Sequence, residues 1–333
     1  MIPIIFGVSG AQLSAEERAF FRSAGPAGYI LFKHNIVDRD QVRALTDDLR
    51  ELTGRDNLPI LIDQEGGSVA RMMPPIWPEF PSAAAFDTLY EIAPMSAIEA
   101  ARCNAKAIAL SLYEVGITVN CMPVLDLRHA ATHIAIGDRT LGSDPLRVAS
   151  LGRAALNGLQ SGGVTGVIKH MPGQGRATLD SHHHLPRVDA SDAALSKDLE
   201  PFIHLNDARI GMTGHVVFSE WDAVHPATMS PTIIGDIIRN RIGFEGLLLS
   251  DDLHMEALVG DIVTRVVDCL AAGCDIALSC WARGDDMERI AATLPEISDV
   301  TAARLAAADI GFLADEEPIA DLIARRDALL AYV

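Results

Sequence analysis

Short β-branched apolar runs alternate with longer amphipathic stretches along almost the whole chain. This alternation fixes the fold class, because a strand followed by a helix, repeated, builds a parallel sheet with helices packed on it. The pattern predicts strands over 28–32, 59–63, 118–126, 164–170, 210–215, 246–251 and 275–279. It predicts helices near 39–52, 97–114, 145–160, 192–206, 231–240, 261–272 and 285–293. Runs such as GLLLS and GVTGVI are apolar throughout, as strands covered on both faces must be. Asp144 with Pro145 reads as a helix start, and Gly243 and Gly273 read as helix stops.

Seven βα units are countable in this way, and an eighth strand is not evident. The length of 333 residues lies within the range of about 200–400 that one α/β barrel occupies. The expected architecture is therefore α/β: a TIM-type (β/α)8 barrel with its eighth strand irregular or missing. It is expected to form a single catalytic domain over 1–333, with Ala-rich helices in about 298–333, namely TAARLAAADIGFLA and IADLIARRDALLAYV, packed on the barrel. No linker or internal repeat divides the chain, and the most irregular segment is the loop 171–190.

Charge narrows the partners. The 27 basic against 45 acidic residues give a net charge of −18, so a nucleic acid backbone or an anionic membrane is repelled on average. The five cysteines are odd in number and contain no Cys-x-x-Cys pair, which suits buried thiols in a reducing compartment. With no export signal and no long apolar run in the sequence, a cytoplasmic protein is expected. A small-molecule substrate, neither nucleic acid nor membrane, and a monomer or weak dimer complete this expectation.

The apolar runs end in titratable residues: Asp63, Asp126, the Lys169-His170 pair, His215 and Asp251. In a parallel barrel all strand C-termini meet at one rim, where barrel enzymes work, so these residues are expected to converge on one pocket. Each carboxylate alone could equally cap the helix that follows it. In LIDQEGGSVAR, Asp63 is placed to accept hydrogen bonds from vicinal hydroxyls, the Gly66-Gly67 pair lets backbone approach a ligand, and Arg71 follows. Arg139 in IAIGDRTLGSDP is a candidate clamp for a carboxylate or for hydroxyls.

The segment VIKHMPGQGRATLDSHHHLP holds Asp180 two residues before His182. A carboxylate there can accept one ring N–H and leave the other nitrogen free for proton transfer, which makes an acid/base pair on a mobile loop. Metal binding by Asp180, His182 and His184 is the rival reading, although regular ligand spacing is lacking. Lys169 as a Schiff-base amine is a further alternative. In LLLSDDLHMEAL, Asp251 is expected to face the pocket and Asp252 to cap the next segment.

Five blocks, IDQEGG with Arg71, GDRTLGSDP, KHMPGQG…DSHHHLP, MTGHVVFSEWDAVHPATMSP and SDDLHMEAL, resemble in order those of the β-N-acetylhexosaminidases of glycoside hydrolase family 3. The Lys-His-x-Pro-Gly-x-Gly…Asp-Ser-His block is similar to the N-acetylglucosaminidase branch, and especially to the bacterial single-domain enzymes of peptidoglycan recycling. The resemblance implies a retaining enzyme that needs no cofactor and no metal. Asp251 would be its nucleophile, His182 its general acid/base and Asp180 the partner that orients His182. It implies Asp63, Arg71, Arg139, Lys169 and His170 as residues that bind N-acetylglucosamine. Gln174 stands where the family commonly has His. A catalytically inert sugar-binding barrel is the alternative from outside enzymology.

Overall fold

The computed structural model describes residues 1–308, 310 and 314–332. Its strands are β1 (Ile2–Gly7), β2 (Pro26–Leu31), β3 (Ile60–Ile62), β4 (Val119–Asn120), β5 (Thr165–Met171), β6 (Arg187–Val188), β7 (Ile210–Thr213), β8 (Val217–Phe218), β9 (Leu247–Asp252) and β10 (Ile276–Ser279). Eight of them close a barrel in the order β1-β2-β3-β4-β5-β7-β9-β10, and every neighbouring pair is parallel. This is the TIM-type (β/α)8 fold. The strands β6 and β8 pair with each other outside the barrel.

The eighth strand that the sequence left open is β1, which closes the ring between β10 and β2. Pro3 interrupts its β-branched pattern, so the run Ile2–Gly7 does not stand out as a strand in the sequence. The strand expected over 118–126 shrinks to Val119–Asn120. Pro123 has no N–H with which to extend the regular ladder, yet the chain stays beside β5, where Leu125 N donates to the Lys169 carbonyl at 2.7 Å just before Asp126.

The helices are α1 (Ala15–Ala24), α2 (Arg39–Thr53), α3 (Ala83–Ile92), α4 (Pro94–Glu114), α5 (Pro145–Ser161), α6 (Asp192–His204), α7 (Ile262–Ala272), α8 (Asp285–Thr293), α9 (Asp299–Ala307) and α10 (Ile319–Leu330). The segment Ile233–Arg241 is π-helical. Starts and stops follow local chemistry. The Asp144 side chain accepts from Arg147 N ahead of Pro145, Asp261 caps α7, and Gly273 ends α7 at φ 116°. The sequence reading missed α1, whose Ser14 and Glu17 form a reciprocal capping box, and α3. Part of the helix expected over 301–314, and the end of the one reaching 333, lie outside the described residues.

Two apolar regions hold the fold. One lies between the barrel and its helices and includes Phe6, Phe21, Tyr29 and Phe202. The other fills the barrel interior with Ile5, Ile30, Leu61, Val119, Val167, Met212, Leu249 and Leu278, and is continued at one end by Leu305, Ala308 and Ile310. The interior is thus packed rather than hollow, and α10 lies against α4 on the outside. The five cysteines are free and buried. Among the described residues, no helix is long and apolar enough to cross a membrane.

Candidate active site

A cavity of about 730 Å³ opens at the end of the barrel where the strand C-termini meet. Asp63, Arg71, Arg139, Lys169, His170, Asp180, His182 and Asp251 all line it. Its floor is made by Ile30, Cys121, Met212 and Leu278 of the barrel interior.

One wall is a network of paired charges. Glu65 accepts two hydrogen bonds from Arg139, both at 2.9 Å, and its carboxylate lies 2.7 Å from Lys169 Nζ. Asp63 holds Lys169 Nζ at 3.2 Å through one oxygen and Arg71 at 3.2 Å through the other. Lys169 is 2% exposed. Burial raises the Glu65 carboxyl, but Arg139 and Lys169 outweigh it and hold the group well below the ordinary glutamate range. Burial likewise lowers Lys169, yet Glu65 and Asp63 carry it above the usual lysine value. Such an amine stays protonated, which is the opposite of what Schiff-base chemistry requires. Arg139 pairs with Glu65 rather than with its neighbour Asp138.

His170 follows Lys169 directly, and the peptide bond between them is cis. Its Nδ1 donates to Asp126 at 2.6 Å, which leaves Nε2 without a protein partner. The other oxygen of Asp126 accepts from Gln174 N at 2.7 Å, so one buried carboxylate fixes both the imidazole and the Pro-Gly turn. The Gln174 side chain also lines the pocket, and its buried Oε1 has no hydrogen-bond partner. No proton can be exchanged by this amide, whatever a histidine would do there.

Asp251 stands near the end of β9, partly open to the pocket, and one of its oxygens accepts from Asp252 N at 2.8 Å. Burial pushes its carboxyl up, but the positive potential of His170, His215 and Lys169 and the bond from Asp252 N bring it below the ordinary aspartate value. Asp252 also lines the pocket, and its Oδ1 accepts from His254 N at 3.1 Å and Cys280 N at 3.2 Å, a tie between β9 and the end of β10. Buried His215 donates through Nε2 to the Asp252 carbonyl at 3.0 Å. Burial chiefly lowers its pKa.

Asp180 and His182 sit on the β5–β6 connection. His182 Nδ1 donates to Asp180 Oδ1 at 2.7 Å, and the same oxygen accepts the His182 backbone N–H at 3.0 Å. Burial raises the Asp180 carboxyl, but these bonds from His182 bring it below its ordinary value. The His182 side chain is 60% exposed, and its Nε2 has no partner among the described residues. His183 turns instead to Glu256, while Glu256 N donates to the His182 carbonyl at 2.9 Å. His182 and His183 therefore point to different neighbours. Among the described residues, no group of three His, Cys, Asp or Glu side chains is arranged to hold a metal ion.

Two expectations change. The loop 171–190 is not irregular throughout: its first part is buried, and a Cβ at Gly175 would lie 1.8 Å from the Leu127 carbonyl, so this stretch is packed too closely to move freely. Exposed residues begin only at Thr178 and Leu179 and include His182, His183 and His184, while Ser181 among them is buried. The Gly66-Gly67 pair serves packing rather than ligand approach. Both residues have positive φ, and a Cβ at either would meet Pro81 or Ser82 within 2.6 Å.

Sequence reasoning missed the aromatic rim of Phe32, His34 and Trp281, and passed over the support that Asp126 gives His170. Asp126 ends an apolar run as the other site residues do, and that was its signal. The rim comes from separate segments with no shared spacing.

Comparison with known proteins matches residues 6–309 to the glycosyl hydrolase family 3 N terminal domain. The chain belongs to glycoside hydrolase family 3. A β-hexosaminidase of Aromatoleum aromaticum is 34% identical over 310 residues, covering 92% of this chain and 86% of that protein. Among solved structures, family 3 likeness extends to NagZ from Neisseria gonorrhoeae in complex with N-trifluoroacetyl-D-glucosamine. That structure has 30% identity and a TM-score of 0.85, with 99% of this chain and 96% of that one covered. A family 3 β-N-acetylglucosaminidase from Paenibacillus superposes with a TM-score of 0.86 at 27% identity, covering 98% of this chain and 67% of that one.

Proposed function

We propose that this family 3 member is a retaining β-N-acetylglucosaminidase that removes terminal non-reducing β-linked N-acetylglucosamine from cell-wall muropeptides in peptidoglycan recycling. The chain is a glycoside hydrolase of the β-N-acetylhexosaminidase type, as its β-hexosaminidase relatives are. The observation that carries the finer reading is one pocket shared by an ionised carboxylate, Asp251, and by an imidazole with a free nitrogen, His182.

Most retaining glycosidases place two carboxyl groups about 5 Å apart, one as nucleophile and one as acid/base. Here the other pocket carboxylates are committed. Asp63 and Glu65 are ion-paired, Asp126 holds His170, and Asp252 binds backbone N–H groups. His182 is left to move the proton. In the first step an Asp251 oxygen bonds to the anomeric carbon as the glycosidic C–O bond breaks, and the leaving oxygen takes the Nε2 proton of His182. In the second, water attacks that carbon and gives a proton to Nε2, while the Asp251–carbon bond breaks and its electron pair returns to the carboxylate. Two inversions give net retention.

Asp180 positions His182 by accepting its Nδ1 proton, which leaves Nε2 to donate and accept. Asp63, Arg71, Arg139, Lys169 and His170 hold the sugar hydroxyls and acetamido group against Asp251. The exposed tip around 179–184 closes over substrate and reopens for release. One barrel over 1–333 with its C-terminal helices carries the whole site, working in the cytoplasm as a monomer or weak dimer. Five free thiols support a reducing compartment.

The test is hydrolysis of p-nitrophenyl β-N-acetylglucosaminide by the wild type, Asp251→Ala and His182→Ala, with a chelator control and NMR of the first-formed anomer. Retention that is abolished by Asp251→Ala and indifferent to chelator is the expected result. Chelator-sensitive turnover would favour a metal-assisted hydrolase, and no turnover an inert sugar-binding barrel.

A further inference from the structure

A cavity of about 730 Å³ holds more than one pyranose ring, and its two sides differ in chemistry. The charged network occupies the side built by β3 to β5. Trp281 follows β10 across the pocket, while Phe32, Lys33 and His34 follow β2, where the Arg71 guanidinium lies over the Phe32 ring at 5.7 Å. The Phe32 and Trp281 ring centroids lie 4.7 Å apart, and those of His34 and Trp281 5.6 Å. Phe32 and His34 stack at 6.2 Å with an interplanar angle of 6°. His34 is fixed, since its Nε2 donates to the Val8 carbonyl at the end of β1 at 3.0 Å.

Trp281 is 46% exposed although it lies in a pocket, so a large apolar face remains open to a ligand. Lys33 is exposed beside it and forms no ion pair among the described residues, in a chain with a net charge of −18. The barrel order gives this side its place. From Asp251 on β9, the rim continues to β10 and β1 before β2 meets β3 of the network. A sugar held by the network with its anomeric carbon at Asp251 leaves the β10 side of the pocket, where Trp281 stands, open to its leaving group.

We propose that Phe32, His34 and Trp281 form the subsite for the sugar ring of the aglycone, and that Lys33 at its edge receives an anionic group carried by that ring. The C–H groups on one face of a pyranose are apolar, and an aromatic plane buries them without asking for hydrogen bonds. The lysine favours a carboxylate-bearing aglycone over a neutral one. The inference rests on the reading of Asp251 as the residue at the anomeric carbon.

The experiment compares kcat/KM of the full chain on three donors: β-N-acetylglucosaminyl fluoride, with a one-atom leaving group; the β-1,4 disaccharide of N-acetylglucosamine, which is neutral; and N-acetylglucosaminyl-β-1,4-N-acetylmuramic acid, which is anionic. Trp281→Ala is expected to lower both disaccharide-to-fluoride ratios about tenfold, and Trp281→Phe to restore most of the loss. Lys33→Met is expected to lower only the anionic-to-neutral ratio, about threefold, with an effect that fades as salt is added. Ratios unchanged within twofold in Trp281→Ala, including the case where all three donors lose activity equally, would overturn the subsite. A wild type inactive on the fluoride as well would instead overturn the glycosidase reading beneath it.

Discussion

Two charged clusters border the pocket, built from similar groups in contrasting surroundings. The Glu65–Lys169–Arg139 cluster is buried, and Asp63 supplies the second negative charge against its two cations. The Asp180–His182 pair stands on a loop tip with its imidazole 60% exposed. A buried network of this kind is costly to break and holds one geometry. An exposed pair contributes little to stability, so its well-formed 2.7 Å bond is better explained by proton handling than by folding. On the proposed function the buried cluster is the part that grips the sugar, and the loop pair the part that approaches and withdraws.

The largest effect should come from the group that serves both clusters. Asp251→Ala is expected to lower kcat by roughly 10⁴- to 10⁶-fold with the fold intact, as steady-state kinetics and circular dichroism would show. His182→Ala should cost about 10²- to 10⁴-fold on a disaccharide, and far less on the glycosyl fluoride, whose leaving group needs no proton. Equal losses on both donors would remove the contrast between the clusters.

Glu65→Gln should instead act on stability. Removing one partner leaves Lys169 and Arg139 buried with too little negative charge, a loss of about 3–5 kcal/mol readable by urea unfolding. The sign with pH follows from the depressed pKa of Glu65. Its contribution is complete above the ordinary glutamate value near 4.3 and is lost as pH falls through the lower folded-state value. The gap between wild type and Glu65→Gln should therefore be widest at neutral pH and narrow below about pH 4. The smallest effect belongs to Asp180→Asn, expected to lower kcat about 10- to 100-fold with KM and unfolding midpoint unchanged. A matching fall in stability would mean that this pair is structural after all.

The catalytic rim was legible because a parallel barrel turns a pattern in sequence into a place in space. Apolar runs that end in Asp63, Lys169-His170 and Asp251 bring these residues together whatever lies between them. Other features depended on information that no local pattern holds. Pro3 breaks the β-branched pattern of the first strand, and Pro123 cuts short a run that reads as a long strand. The packing of Gly175 against Leu127 is a tertiary contact invisible to loop composition. Trp281 and Phe32 meet only because the barrel closes through β1, the one strand the sequence did not reveal.

The filled interior has one more consequence. Leu305, Ala308 and Ile310 continue the barrel packing beyond the end opposite the pocket, so nothing can thread through the ring. On the proposed function, substrate and both products share a single doorway, and a terminal sugar bound at the floor is the last to leave. A polysaccharide would then offer only its tip and let go after each cut, a distributive rather than a processive mode.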